Sequence, residues 1–353
     1  MEEIRAVRWN TSERSIDLID QTLLPGVTET FACATVERLI DAIDRLVVRG
    51  APALGATGAL GVALAMVQGE REGWDEAHLQ ERVDAIRNAR PTAVNLAWGV
   101  DQVRPAMTAG VDRVLEEAFA LMADDEAANH ALSVLGADWI LEHVQHRPIR
   151  ALTHCNTGSL ATTAWGTALG IIRELHSRGV LEIVYADETR PLLQGSRLTA
   201  WELQHDGIPY LVQADGAAAS TLLRGLVDVA LIGADRIARN GDTANKIGSL
   251  GVALACHAAG IPFVVAAPSS TVDLSTLTGD DIHIELRPSE EVTHFAGVLA
   301  APPEARGFNP AFDVTPGRYV SAIATEHGVV EPDGVMDVSS LVGLATSTGS
   351  AGE

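Results

Sequence analysis

The second half of the chain contains a cysteine in a setting that favours a reactive thiol. Cys155 lies in the polar loop 154–159, which follows the apolar run Arg150–His154 and precedes a helical pattern. The order of strand, cysteine, glycine-containing loop and helix N-terminus favours a thiolate or a polarised thiol. The amides and hydroxyls of this loop also suit an anion. A capped helix start with a buried cysteine explains the loop equally well.

A carboxyl group in the same half has the setting of a general acid. Asp235 closely follows the strongly apolar run Val227–Ile232. Partial removal of this carboxyl from water would raise its pKa and suit it to donate a proton. An aspartate that caps the next helix is the alternative interpretation. Lys246 lies further along the same region, and it is the single lysine among 25 basic residues, which favours the functional interpretation.

The loop after the apolar run Glu182–Ala186 is rich in polar side chains. It carries two acidic residues, two arginines and Gln194 between positions 187 and 197. Charged residues at this density are unusual in a loop that only packs against a core. We therefore consider this loop a candidate for ligand binding, with a solvated surface loop as the alternative.

These three loops follow short apolar runs, and helical patterns lie between most of the runs. Strands that alternate with helices predict a parallel sheet covered by helices on both faces. Ligands of such sheets bind outside the carboxyl ends of the strands, which is where the candidate residues fall. The second half is therefore predicted to be a Rossmann-like, doubly wound domain. Its predicted strands are Arg150–His154, Glu182–Ala186, Pro209–Gln213, Val227–Ile232, Pro262–Ala266 and Ile282–Leu286.

The first half has a different pattern, in which helical spacing follows two short alternating runs. The runs Arg5–Trp9 and Ser15–Asp20 predict a small antiparallel β element. Apolar residues then recur at helical spacing from Thr35, and helical patterns continue from Asp75 to His146 with a break near residues 90–93. This half is therefore predicted to be mainly helical.

One apolar stretch of the first half, Ala51–Val67, has glycines at every third position. Gly55, Gly58 and Gly61 fall on one helical face, where another backbone could approach closely. The stretch is too short and too rich in glycine for a membrane span, so a buried helix is the better interpretation.

Together these patterns predict an α/β protein of two domains. Residues 1–146 form a mainly helical N-terminal domain with a small antiparallel β element. Residues 147–353 form a Rossmann-like C-terminal domain that carries most of the active site and ends in a small, polar, frayed tail from Ala345.

Composition narrows the class of protein. The chain has 353 residues, 47% of them hydrophobic, and a net charge of −22, which disfavours nucleic acids as partners. Its three cysteines are widely spaced, which argues against a disulfide framework or a structural zinc site. The acidic start, Met1–Glu3, is unlike a secretory signal. We expect a cytoplasmic protein with no membrane segment.

The motifs of several common enzyme classes are absent from the sequence. It contains no G-x-G-x-x-G, no G-x-x-x-x-G-K-[ST] and no G-x-S-x-G, which argues against dinucleotide, ATP and serine-hydrolase sites. The adjacent pairs His154–Cys155 and Cys256–His257 are poorly placed to chelate one ion. No metal and no cofactor is therefore expected.

Seven segments of the chain, taken together and in this order, resemble the S-methyl-5-thioribose-1-phosphate isomerases of methionine salvage. Their superfamily also contains the alpha, beta and delta regulatory subunits of the guanine-nucleotide exchange factor of eukaryotic translation initiation. The resemblance extends over nearly the whole chain. The segments are Arg49–Gly55, Arg90–Leu96, Thr153–Gly158, Glu188–Pro191 with Gln194–Thr199, Gly233–Asp235, Asn245–Gly248 and Asn309–Asp313.

The resemblance implies roles for matching residues. Cys155 and Asp235 match the two catalytic residues of the family. The family fold is a helical domain followed by a Rossmann-like domain, usually paired as a homodimer. The positions that match its substrate-binding residues are Arg49, Gly50, Ala51, Arg90, Gln194, Asn245 and Lys246.

The implied substrate is an aldose that carries a phosphate on its anomeric oxygen, and the product is a ketose. A general acid must open the ring by protonating its oxygen, a role suited to Asp235. Hydrogen then passes from C2 to C1, either as a proton with Cys155 as base or as a hydride with Cys155 stabilising charge. The alternatives are an isomerase of 5-deoxyribose 1-phosphate or ribose 1,5-bisphosphate, and a non-catalytic regulatory subunit.

Overall fold

The computed structural model describes residues 3–90, 94–335 and 337–343. The chain forms two compact units. The first contains Met1–Ala127 and Asn156–Gly166, and the second contains Ala128–Cys155 and Thr167–Glu353. The predicted border at residues 146 and 147 falls inside the second unit, so the division into domains at that point stays a prediction. The predicted frayed tail from Ala345 lies outside the described residues.

The first unit begins with the antiparallel element that the alternating runs predict. Three strands pair in the order β1-β2-β3, with Val7 opposite Leu18 and Ile16 opposite Cys33. Helices make up most of the remainder, and the last of them continues into the second unit. The elements are β1 Val7–Asn10, β2 Ser15–Ile19, β3 Thr30–Cys33, α1 Val36–Asp44, α2 Ala51–Glu72, α3 Glu76–Arg87, α4 Val94–Val103 and α5 Val111–His143.

Helix α2 is the central helix of the first unit. It is long and apolar enough to span a membrane, but 83% of its most apolar 18 residues are buried inside the protein, as in a core helix. A Cβ added to Gly58 would lie 2.4 Å from the carbonyl oxygen of Leu96, and one added to Gly99 would lie 2.0 Å from that of Gly55. The backbones of α2 and α4 therefore touch, as the glycine spacing predicts.

The second unit is built on a seven-stranded sheet in the order β16-β15-β10-β7-β4-β5-β6, parallel except for the edge strand β16. Helices α5, α6 and α7 contribute to the core on one face, and α8 and α9 to the core on the other. The elements of the main sheet and its covering helices are β4 Ile149–Thr153, α6 Ala168–Ser177, β5 Leu181–Asp187, α7 Ala200–Asp206, β6 Tyr210–Gln213, α8 Ala218–Leu223, β7 Val229–Ile232, α9 Ser249–Ala259, β10 Phe263–Ala266, β15 Ala322–Thr325 and β16 Gly328–Val330.

Strand order in this sheet creates a topological switch point. The chain runs outward from β4 through β5 to β6 on one side, and from β7 through β10 to β15 on the other. The direction of winding reverses between β4 and β7. In sheets of this kind, ligands bind outside the carboxyl ends of the strands at this point.

One predicted strand is wrong. Residues 282–286 do not join the main sheet, and Leu286 makes only an isolated bridge with Pro310 and is largely exposed. The position beside β10 is taken by β15, whose four residues are all buried. Polar His283 and Glu285 interrupt the apolar run, so it cannot be buried on both faces as a central parallel strand must be.

The chain after β7 also contributes to a second, smaller sheet, which was not predicted from the sequence. Its strand order is β11-β8-β9-β14, and β14 pairs antiparallel with β9. A short helix and a two-stranded hairpin precede β14 in the chain. These remaining elements are β8 Arg236–Ala238, β9 Thr243–Lys246, β11 Val272–Asp273, α10 Glu290–Thr293, β12 His294–Phe295, β13 Val298–Leu299 and β14 Phe312–Thr315.

Candidate active site

Cys155 lies just beyond the carboxyl end of β4 with a left-handed backbone, φ +66°. For a residue with a Cβ this conformation costs about 1–3 kcal/mol and persists only where the surroundings enforce it. Two threonine hydroxyls do so. Thr189 Oγ1 accepts the Cys155 N–H at 2.8 Å, and Thr199 Oγ1 donates to the Cys155 carbonyl oxygen at 2.6 Å. These two hydrogen bonds hold the backbone of Cys155 on both sides of its Cα atom.

The predicted helix directly after Cys155 is absent. The chain instead makes a series of turns, and α6 begins only at Ala168. The small residues between them favour turns over a continuous helix, and Gly166 has a positive φ of 87°. The argument that a helix N-terminus polarises the thiol is therefore wrong for this structure.

Asp235 follows β7 on the other side of the switch point. Its side chain is half-buried, and its backbone N–H donates to the carbonyl oxygen of Ala244 at 2.9 Å. A strand, β8, begins at the next residue, so the alternative in which Asp235 caps a helix is wrong. Cys155 and Asp235 thus follow the two neighbouring strands that flank the switch point.

Asn245 and Lys246 end strand β9 and are held from two directions. The buried Asn245 amide donates to Ser249 Oγ at 2.9 Å. Lys246 Nζ donates to the carbonyl oxygen of Ala311 at 2.9 Å and lies 4.2 Å from the ring centroid of Phe312, its partner in β14. These contacts fix the ammonium in a half-buried position.

Gln194 is a buried residue in the polar loop after β5. It is 5% exposed, and its Oε1 accepts no hydrogen bond from any residue that the structure describes. The next residue, Gly195, packs against the β5 end so closely that a Cβ there would lie 1.6 Å from the Asp187 carbonyl oxygen. This oxygen could accept a hydrogen bond from a ligand hydroxyl or amide.

Three further predicted residues lie together in the first unit. Arg49 Nη2 donates to both the carbonyl oxygen and Oδ1 of Asn156, each at 2.8 Å. Gly50 has a positive φ of 97°, and a Cβ there would lie 2.3 Å from the Ala161 carbonyl oxygen. Ala51 is the first residue of α2. The loop that follows Cys155 in sequence is therefore tied to the start of α2.

Arg90, the fourth predicted residue of the first unit, follows the end of α3. The next three residues of its motif lie outside the described part of the chain. The first unit thus contains four of the predicted residues and the second unit contains five. Those of the first unit are Arg49, Gly50, Ala51 and Arg90, and those of the second are Cys155, Gln194, Asp235, Asn245 and Lys246.

Two residues of the second unit, the buried His154 and the half-buried Asp313, were missed as site residues by the sequence reasoning. His154 directly precedes Cys155, and Asp313 accepts hydrogen bonds from the N–H groups of Gly248 and Leu250 at 2.8 and 3.1 Å. Both residues belong to segments that carry the family resemblance. For His154, its place directly before Cys155 was the available signal; for Asp313, it was only membership of the segment Asn309–Asp313.

His154, Asp187 and Asp215 each offer a ligand atom, all within 4.8 Å of one another. These atoms already take part in hydrogen bonds. Nδ1 of His154 is 3.0 Å from Asp187 Oδ2, and the two Asp215 oxygens accept the N–H groups of Thr189 and Arg190. A metal ion would have to displace these bonds. The expectation that no metal is needed stays a prediction.

Comparison with known proteins places these features in a family. The model of the initiation factor 2 subunit family matches residues 47–332. The methylthioribose-1-phosphate isomerase of Gloeobacter violaceus is 47% identical, over 94% of each chain. The 5-deoxyribose 1-phosphate isomerase of Moorella thermoacetica is also 47% identical, over 94% of this chain and 95% of the other.

A further relative is longer. A probable bifunctional methylthioribose-1-phosphate isomerase/methylthioribulose-1-phosphate dehydratase of Nocardia farcinica is 52% identical over 88% of this chain, which spans 57% of that protein. Two solved structures are also similar. The 5-methylthioribose 1-phosphate isomerase of Pyrococcus horikoshii has a TM-score of 0.84, with 38% identity and 93% of each chain covered. The initiation factor eIF-2B delta subunit of A. fulgidus has a TM-score of 0.85, with 41% identity, covering 97% of this chain and all of that one.

Proposed function

The chain belongs to the initiation factor 2 subunit family, and within that family we propose that it is an aldose–ketose isomerase of methionine salvage. It converts S-methyl-5-thio-α-D-ribose 1-phosphate to S-methyl-5-thio-D-ribulose 1-phosphate. One observation carries the proposal. A thiol and a carboxyl group, Cys155 and Asp235, follow the two strands that flank the switch point of a parallel sheet. A purely regulatory subunit needs neither group.

Asp235 is proposed to open the sugar ring. The anomeric oxygen carries the phosphate, so the ring cannot open by loss of an anomeric hydroxyl proton. Asp235 donates its proton to the ring oxygen, the bond from that oxygen to C1 breaks, and C1 becomes electron-deficient. The side chain of Asp235 is half-buried beyond the end of β7, where the sheet is proposed to bind the sugar.

Hydrogen then moves from C2 to C1. In the proton route, Cys155 removes the C2 proton as a thiolate and returns it to C1 through an enol intermediate. In the hydride route, the hydrogen carries its electron pair directly to C1, and Cys155 stabilises the charge that develops. In both routes the O2 hydroxyl proton is lost as the C2 carbonyl forms, and the ionised Asp235 is a suitable acceptor.

The remaining site residues are proposed to bind the sugar phosphate. Lys246 places an ammonium near Asp235 in the chain, and Gln194 offers a buried oxygen to a sugar hydroxyl. Arg49 and Arg90 are proposed to supply further positive charge to the phosphate, with Gly50, Ala51 and Asn245 as the other binding positions. The binding roles of these residues rest on the sequence resemblance.

A deoxy sugar is the second candidate substrate, because the Moorella relative is named a 5-deoxyribose 1-phosphate isomerase. The chemistry at C1, C2 and the ring oxygen would be the same, and only the contacts to the C5 substituent would differ. The catalytic pair therefore cannot distinguish the two sugars, and turnover must.

The test is a turnover assay with the methylthio, deoxy and 5-phospho sugars at equal concentration, with an Asp235→Asn enzyme as the blank. We expect the largest kcat/KM with the methylthio sugar. A larger value with the deoxy sugar would reassign the substrate. No turnover of any of the three would favour the regulatory subunit.

We also propose that the enzyme works as a cytoplasmic homodimer without a metal or cofactor, and without nucleic-acid or membrane partners. The net charge of −22 opposes binding to phosphate backbones, which supports the absence of nucleic-acid partners. Light scattering of the purified protein and activity after dialysis against a chelator test the oligomeric state and the metal independence.

A further inference from the structure

We propose that His154 is a positioning residue for the isomerase reaction. Through its two ring nitrogens it holds the segments that contain Cys155 and Lys246 in fixed positions relative to each other. The inference rests on the proposed function, because the residues that it positions are those assigned to catalysis and binding. His154 is only 1% exposed to solvent, so its polar atoms depend on partners within the protein.

The ring of His154 connects three segments that are distant in sequence. Nδ1 lies 3.0 Å from Oδ2 of Asp187, the last residue of β5. Nε2 lies 2.9 Å from the carbonyl oxygen of Ile247, the residue after Lys246. A carbonyl oxygen only accepts, so Nε2 carries a hydrogen and donates it. The ring cannot rotate without breaking both contacts.

Asp187 connects back to Cys155 by a second path. Its carbonyl oxygen accepts the Thr189 hydroxyl at 3.0 Å, and Thr189 Oγ1 in turn accepts the Cys155 N–H at 2.8 Å. Cys155, His154, Asp187 and Thr189 therefore form a closed ring of covalent and hydrogen bonds. This ring encloses the strained backbone of Cys155, so a shift of His154 would be transmitted to the thiol.

The Lys246 segment also packs directly on the imidazole. A Cβ added to Gly248 would lie 2.7 Å from Cε1 of His154, and Gly248 has a positive φ of 110°. Asp313 holds the same turn through the N–H groups of Gly248 and Leu250. The turn is thus held between the His154 ring and the Asp313 carboxylate.

Electrostatics favour a fixed ring as well. Burial alone would lower the pKa of His154, but the hydrogen bond and negative charge of Asp187 outweigh it and raise that pKa. The other oxygen of Asp187 accepts Gln213 Nε2 at 2.8 Å. Each polar atom of the pair therefore has a partner, which is the condition under which a buried polar network is rigid.

Two substitutions separate the two ring contacts. In His154→Asn the amide lies near the position of Nδ1, so the Asp187 contact can survive and the Ile247 contact is lost. In His154→Gln the amide nitrogen reaches towards the position of Nε2, so the Ile247 contact can be kept. His283→Asn, at an exposed histidine, is the matched control.

We expect His154→Asn to lower kcat at least about tenfold with KM changed less than about threefold, since small displacements of reacting groups are costly. His154→Gln should retain more activity than His154→Asn. In a Lys246→Met background, His154→Asn should cost much less than it does alone, because both changes disturb one unit. Melting temperatures separate these effects from unfolding.

Three outcomes would overturn the proposal: wild-type kcat in a folded His154→Asn enzyme, more activity in the Asn than in the Gln variant, or fully additive losses with Lys246→Met. The alkylation rate of Cys155 is a readout that needs no substrate, and we expect His154→Asn to change it by at least about threefold. If the wild type turns over none of the three sugars, the proposed function fails, while this rate still tests His154.

Discussion

Cys155 differs from the other two cysteines of the chain in backbone conformation and in position. Burial raises the pKa values of Cys33 and Cys256 to about 12 each, so both thiols stay protonated at neutral pH. Cys155 instead has a strained backbone beyond the end of a parallel strand. Cys33 and Cys256 therefore serve as controls within the same chain for the reactivity of the Cys155 thiol.

Replacement of Cys155 by Ser should lower kcat at least about 10²-fold, because the serine hydroxyl is a far weaker acid than the thiol and does not ionise at neutral pH. In the wild type, a thiol reagent should inactivate the enzyme, and substrate should protect it. Peptide mass spectrometry identifies the modified residue. Inactivation that follows modification of Cys33 or Cys256 would contradict the assignment.

Replacement of Asp235 by Asn removes the transferable proton and keeps the size of the side chain. The hydrogen bond to Ala244 involves the backbone N–H and should survive. We expect kcat to fall at least about 10²-fold with a modest change in KM, as for an interaction realised in the transition state. Steady-state kinetics checks this, with Asp41→Asn on the exposed face of α1 as control. Near-normal kcat would exclude Asp235 as the acid.

Replacement of Lys246 by Arg keeps the charge but should lower kcat/KM at least about tenfold. The ammonium fits between the Ala311 carbonyl oxygen and the Phe312 ring, and the larger planar guanidinium would shift the sugar or miss its oxygen. Arg113→Lys, on the exposed face of α5, should have no effect. Equal activity of wild type and Lys246→Arg, at equal melting temperature, would remove Lys246 from the site.

The close contact between helices α2 and α4 is expected to contribute to the stability of the first unit. Gly58→Ala places a methyl group 2.4 Å from the Leu96 carbonyl oxygen, which requires a backbone shift. We expect it to lower the free energy of unfolding by about 1–3 kcal/mol.

Gly251→Ala in α9 is the matched control, because a Cβ there meets nothing within 4 Å. It should raise the free energy of unfolding by about 0.5–1 kcal/mol, as alanine is the better helix former. Urea denaturation measures both. Equal stability of the two variants would show that α2 and α4 can separate at little cost.

Elements with strong patterns could be predicted from the sequence. The apolar runs that precede the three polar loops became β4, β5 and β7, and the alternation of strands and helices became a doubly wound sheet. Strand β15 was missed because its residues are mostly small, and only Ile323 among them is a large aliphatic residue. Residues 282–286 were wrongly predicted as a strand, because a pattern of five residues does not reveal whether a neighbouring strand is available to pair with them.

The candidate site could be predicted only where position follows from topology. The rule for parallel sheets placed Cys155 and Asp235 beyond the strand ends without knowledge of any contact. The role of His154 could not be predicted that way, because its partners Asp187 and Ile247 are distant in sequence. Nothing in the local pattern shows that one imidazole connects them.

Stability of the protein in acid depends on hydrogen-bonded carboxylates such as that of the half-buried Asp228. Arg150 donates to it through its backbone N–H, Nε and Nη2, at 2.8, 2.9 and 2.6 Å. Burial alone would raise the pKa of Asp228, but the hydrogen bonds and charge of Arg150 outweigh it and hold that pKa below its usual value. The folded state therefore binds this proton more weakly than the unfolded state does.

The stability contributed by Asp228 should be present above its ordinary pKa, about 3.9, and lost as the pH falls through the lower pKa of the folded state. In Asp228→Asn, the free energy of unfolding should be lower at pH 6 and should decline less between pH 5 and pH 3. Urea titrations across this range measure both slopes. Parallel curves for wild type and variant would contradict the linkage.

The single lysine of the chain has a practical consequence. Acylating and carbamoylating reagents usually modify many lysine side chains, but this chain has a single ε-amine. That amine lies against the Ala311 carbonyl oxygen and the Phe312 ring. Acylation would cancel the ammonium charge at that one position. Isotopic enrichment in lysine would likewise give a single side-chain signal in a magnetic-resonance spectrum. Lys246 therefore offers a single position for chemical labelling, and protection of its amine by the sugar phosphate would support the proposed binding role without any mutation.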